Sequence, residues 1–231
     1  MADGPDEMPT PALTRQAIRT PRAAAIAGIA FSVLLTAAFV LMRLAVPRDP
    51  EDAGTWLTDG GKRDLVIVAL NLLPFAGIAF LWFIGVVRDR IGDSEDRFFA
   101  TVFLGSGLLF IAMLFATGAV AGGLVLTASE RPAAGVWSFG RRTIYTLFTV
   151  YAMRMAAVFT ISTTTIATRL KLAPRWLTVL GFATGAILLT TAGTVPWIEL
   201  VFPTWVLVFS VHILVVSFRT SQPDLSNTGA D

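Results

Sequence analysis

Arg154 lies within YAMRMAAVFTISTTT, residues 151–165, a stretch otherwise made of apolar side chains and hydroxyls. A guanidinium in hydrocarbon is unfavourable by roughly 2.5–3.5 kcal/mol on insertion scales, so it must face the protein interior, a wet cavity or an anion. At 100° per residue, Thr165 returns to within about 20° of Arg154, Thr168 to within about 40° and Tyr151 to within about 60°. One helix face therefore carries a phenol, a cation and a ladder of hydroxyls, a set of groups able to hold an anion or the polar head of a ligand. Within the chain, the candidate partners are Asn71, a neutral acceptor, and Glu199, the acid nearest in depth. The carbonyl of Leu70 is a third, because Pro74 removes its helical donor. A guanidinium has five donors in a planar fork and could collect several of these at once. Arg154 is either a structural clamp or the cationic element of a ligand site or ion pathway.

His212 is the only histidine and there are no cysteines. Haem held by two histidines of one chain is therefore excluded, and zinc lacks its usual ligands. An imidazole titrates near neutrality and could carry a proton; a hydrogen bond to a neighbouring helix is its plainer role. Ser106, in LGSGLLF at 104–110, lies at nearly the same depth, which raises a serine–histidine hydrolytic dyad. Against it, the run lacks the first glycine of a G-x-S-G setting, and Gly105 and Gly107 read as close helix packing. The acids of RDRIGDSEDR at 88–97 lack the spacing of a calcium loop. They read instead as complements to a helix N-terminus, with Asp93 or Ser94 as its cap. No phosphate-binding, metalloprotease or dinucleotide motif occurs. The residues call for no cofactor and no metal.

These side chains must be positioned by helices. The chain of 231 residues is 55% hydrophobic and only 15% charged, against about 25% charged in soluble domains. Its apolar residues form six continuous blocks: 23–46, 65–87, 98–127, 143–168, 176–195 and 200–218. Each is long enough for a span of ~20 residues. Because lipid satisfies no backbone N–H or C=O, such blocks must be helical. The fold class is all-α, a polytopic membrane protein with six transmembrane helices in one bundle. Residues 1–22 read as a disordered tail and 219–231 as a short polar one. The first block is too long for the apolar core of a cleavable signal peptide.

Further features refine this outline. The third block exceeds a span, with Gly118, Gly122 and Gly123 as places to bend or end it. Trp56 and Trp137 fall in loops, Trp176 and Trp197 at span ends, and Trp82 and Trp205 at depths suited to packing between helices. Gly118-x-x-x-Gly122 and Gly181-x-x-x-Gly185 are small-residue faces for contact within the bundle or in a homo- or hetero-oligomer. The loop 46–64, with Gly60 and Gly61, reads as a flexible turn. Pro74 and Pro203 interrupt the second and sixth spans, which does not make an inverted repeat.

Lysine and arginine set orientation. With the N-terminus inside, ten lie in cytoplasmic segments and seven in outer ones, so both termini are expected in the cytoplasm of a cell-membrane protein. Arginine outnumbers lysine 16 to 2, a bias suited to a GC-rich bacterial genome. A net charge of +2 implies no nucleic-acid partner. Two functions remain open: a non-enzymatic binding or accessory protein that packs with partners or a lipid-like ligand, and a small permease or channel with Arg154 in an anion-accessible cavity.

Overall fold

A computed structural model of the protein describes residues 21–46, 59–91, 97–127, 134–171, 173–191, 195 and 197–219. Among them there is no strand. The helices are α1 (Pro21–Ala45), α2 (Gly60–Ile91), α3 (Arg97–Thr127), α4 (Ala134–Tyr145), α5 (Met153–Arg169), α6 (Arg175–Thr191) and α7 (Val201–Arg219). A π-helical stretch, Thr146–Ala152, joins α4 to α5 without a break, and a single 3₁₀ turn, Ile198–Leu200, leads into α7. The result is a bundle of six rods. Five are long and apolar enough to cross a membrane. The sixth, α6, has 17 residues, the lower limit for a span.

Several boundaries differ from the sequence expectation for local reasons. α1 begins at Pro21, because proline at a first helical position forfeits only an N–H that has no helical acceptor. α2 begins at Gly60, inside the expected loop: Asp59 Oδ1 accepts from the N–H groups of Gly61 at 3.0 Å and Lys62 at 3.4 Å, and this cap outweighs two glycines. α3 runs through Gly118, Gly122 and Gly123 to Thr127. The fourth rod starts at Ala134, nine residues before the expected span, so Trp137 is helical. The proposed cap at Asp93 or Ser94 and both tails, apart from Pro21, Arg22 and Arg219, lie outside the described residues.

Phenylalanines fill the middle of the bundle. Phe80 of α2 lies 4.5 Å from Phe31 (α1), 5.3 Å from Phe110 (α3), 5.0 Å from Phe159 (α5) and 5.9 Å from Phe202 (α7), centroid to centroid. Most of these pairs are tilted or edge-on, the arrangement favoured by the ring quadrupole. Trp205 is buried with them, stacked on Phe209 at 5.3 Å. Trp82, expected between helices, is 69% exposed on the outside of the bundle, since it is two residues from Phe80 and so on the opposite side of α2.

α6 adds no ring to that cluster; Leu177 and Leu188 join the core, and small residues set its contact with α5. A Cβ on Gly181 would lie 2.1 Å from Thr164 Oγ1, and one on Gly185 would lie 2.4 Å from Ile161 Cγ1. The Gly181-x-x-x-Gly185 face thus allows close contact between α5 and α6. The ends of α1 and α7 meet as well: the Arg22 guanidinium lies 4.6 Å from the Phe218 ring centroid.

Replacing Phe80 by alanine is expected to lower the unfolding free energy in detergent by about 3–5 kcal/mol, as for a fully packed aromatic. Phe75→Ala, on the outer face at 61% exposure, should change it by about 0.5 kcal/mol or less. Equal losses in thermal or denaturant titrations would refute the central role of Phe80.

Candidate functional site

Arg154 lies half-buried near the start of α5. Its guanidinium donates to the carbonyl of Val150 at 3.0 Å, in the π-helical stretch one turn back. It makes no bond to Asn71, which is exposed on α2, or to Glu199. On the α5 face toward α6, Thr168 meets Thr178 at 3.1 Å, and Thr164, Ile161 and Ala157 meet Gly181 and Gly185. At 100° per residue Arg154 falls on the same stripe of α5, one turn before Ala157.

The hydroxyl ladder is committed within its own helix. Thr160, Ser162, Thr163, Thr164, Thr165 and Thr168 each donate to the carbonyl four residues earlier, at 2.7–2.8 Å. Such back-bonding satisfies a hydroxyl without any neighbour. Tyr151 points outward and is exposed. His212 packs edge-on to Trp176 at 6.0 Å. Ser106 donates to its own helix, at Val102 (2.6 Å) and Phe103 (3.1 Å). The two belong to different environments, and the hydrolytic dyad is not formed.

A further site lies elsewhere, at the end of the bundle where α1 finishes. Arg43, in the last turn of α1, donates from Nε to Glu199 Oε1 at 3.0 Å, and a second guanidinium nitrogen donates to the same oxygen. Glu199 is only 4% exposed, whereas the Arg43 side chain keeps 31% of its surface open. The arginine also lies 5.5 Å from the Trp197 ring centroid. Trp197 itself adopts a left-handed conformation (φ 68°), the bend that turns the chain into the 3₁₀ turn carrying Glu199.

This ion pair forms part of the wall of a cavity of about 470 Å³, within the range of small-molecule sites. α1, α2, α3, α4 and the π-helical stretch enclose it, together with Val195, Ile198 and Glu199. Its walls are mainly apolar, among them Leu73, Leu114, Leu124 and Phe148, while Arg43, Glu199 and Arg141 supply the charge. Of the six residues that the sequence singled out, Glu199 alone lines this space.

Sequence reasoning paired Glu199 with the wrong depth. Arg43 ends the first span and Glu199 precedes the last, and two antiparallel helices bring those positions to one end of the bundle. That signal was present. The contribution of Arg141 and Trp137 was not, because it depends on α4 continuing the fourth rod. Among the described residues, no group of three or more histidine, aspartate and glutamate side chains could hold a metal. Comparison of the chain with protein families, curated proteins and solved structures finds no match, so the chemistry of the cavity is the guide to function.

The buried acid and its partner should respond unequally to substitution. Arg43→Met leaves the Glu199 carboxylate buried without its cation and is expected to destabilise by about 3–5 kcal/mol. Glu199→Gln leaves a partly open guanidinium beside Trp197 and should lose less than half as much, measured by denaturant titration in micelles. The reverse order would show that Glu199 does not depend on Arg43.

Proposed function

We propose that this multi-pass protein is a non-enzymatic binding protein that takes the apolar part of a lipid-like molecule into the cavity beside Arg43. The observation that carries this reading is the cavity itself, a largely apolar space among five helical segments with the Arg43–Glu199 pair and Arg141 supplying its charge. A chamber of that composition suits an amphiphile: the chain meets leucine and phenylalanine, and the head meets side chains able to bond it. We place the protein in the cell membrane with both termini in the cytoplasm. The ten-to-seven distribution of lysine and arginine supports that orientation, and the meeting of Arg22 with Phe218 puts the two termini at the same end of the bundle.

A permease or channel built on Arg154 has less behind it. Arg154, Tyr151 and Thr165 do not line the cavity, and the hydroxyls along α5 are bonded to their own backbone. If that reading were right, Arg154→Ala would abolish anion flux in proteoliposomes while leaving the melting temperature unchanged.

The test of the binding reading is to fill the chamber. Ala69→Phe and Ala121→Leu add bulk at buried wall positions. Each should purify as a folded protein with at least severalfold less co-purifying lipid by mass spectrometry than the parent. Unchanged lipid content in folded variants of both kinds would sink the proposal.

A further inference from the structure

The polar end of the cavity is more specific than its apolar walls. From its geometry we infer that the ligand is an amphiphile with an anionic head, a phosphate or carboxylate, held by the guanidinium groups of Arg43 and Arg141. This rests on the binding function proposed above and adds the chemistry of the head.

The first observation is the asymmetry of exposure within the ion pair. Glu199 is 4% exposed, while Arg43 keeps 31% of its side-chain surface open. Both Arg43–Glu199 bonds use Nε and one terminal nitrogen on a single carboxylate oxygen. A guanidinium has five N–H donors, so this engagement leaves donors on the second terminal nitrogen. Of the pair, the guanidinium therefore presents the larger open surface, although Glu199 also lines the cavity. Glu199 is a positioning residue: it fixes the plane of the Arg43 fork, and Trp197 flanks the same group at 5.5 Å.

A second guanidinium, Arg141 of α4, lines the same cavity. Two such groups, each planar and rich in donors, match the oxygen atoms of phosphate and carboxylate. The third observation is depth. Trp137 and Tyr145 also line the cavity, and Trp197 adjoins Arg43. Tryptophan and tyrosine gather where a membrane meets water, at headgroup level. Arg43 and Arg141 therefore lie where a lipid of that leaflet carries its head, with the apolar chamber within reach of its chain.

The experiment is native mass spectrometry of the full chain in a nonionic detergent, titrated with phosphatidylglycerol and phosphatidylcholine of identical acyl chains, and with inorganic phosphate. The expected result is a preference of about tenfold or more for phosphatidylglycerol, the size of one or two charge-assisted hydrogen bonds. Two variants should reduce that preference to about twofold or less while the choline lipid still binds: Arg141→Gln, and the double variant Arg43→Gln with Glu199→Gln. The double variant removes both charges together, so no buried charge is left unpaired, and melting curves verify its fold. Equal binding of the two lipids, or a preference that survives in both variants, overturns the anionic head and leaves the lipid-binding function standing. Failure of both lipids to bind overturns that function too. Displacement of bound phosphatidylglycerol by equimolar inorganic phosphate would assign the site to a free anion and overturn the amphiphile.

Discussion

Contact between Phe80 and its neighbouring rings is the constraint on which the rest of the bundle depends. In a bilayer, helices gain nothing from leaving water, because lipid tails are as apolar as leucine; association rests on packing and hydrogen bonds. Phe80 touches rings from α1, α3, α5 and α7 and so fixes the separation of four helices from its own. Toward the Arg43 end, Ala38, Ala69, Gly118 and Ala121 stand on the cavity wall beside Phe39, Phe148 and Trp137. Small residues there leave room between helices that the ring cluster holds apart.

Two modes of adhesion share the work. Ring packing joins α1, α2, α3, α5 and α7, while α6 is attached through glycines pressed onto threonine and isoleucine of α5. At the junction of α1 and α7 both ideas combine. A Cβ on Gly28 would lie 2.0 Å from Ser210 Oγ and 2.9 Å from Phe83. Ser210 Oγ and Trp205 Nε1 are, among the described residues, the buried side-chain polar atoms without a hydrogen-bond partner. Close approach between α1 and α7 is thus maintained even where a hydroxyl gains no bond from it.

The helical class and six rods were legible because the signal is a solvent constraint: twenty apolar residues in a row admit one secondary structure in lipid. Helix ends were less legible, since a cap such as Asp59 or a proline such as Pro21 acts through a single bond or a single missing donor. Orientation about the helix axis was hardest. The sequence shows that Arg154, Thr165 and Thr168 share a face, and the register of α5 on α6 agrees for Thr168, which meets Thr178. It does not show that a threonine hydroxyl turns back to its own carbonyl, an internal choice that leaves no trace in spacing. Nor does it show that Trp82 faces out and Phe80 in, because both are large and aromatic. For the same reason Glu199 was visible as the deepest acid while its partner was not: depth along a helix is countable, but contact across helices requires the packing.

The π-helical stretch has a consequence for the fourth rod as a whole. Here the N–H of Met153 bonds the carbonyl of Phe148, five residues back, so the chain spends an extra residue on each turn. Those wide turns change the phase of everything downstream relative to a plain α-helix. Upstream of it α4 aims Trp137, Arg141 and Tyr145 at the cavity; downstream α5 aims Ala157, Ile161 and Thr164 at α6. A single rod thereby lines the cavity with its first half and packs on α6 with its second, and the seven residues from Thr146 to Ala152 take part in setting the phase between the two.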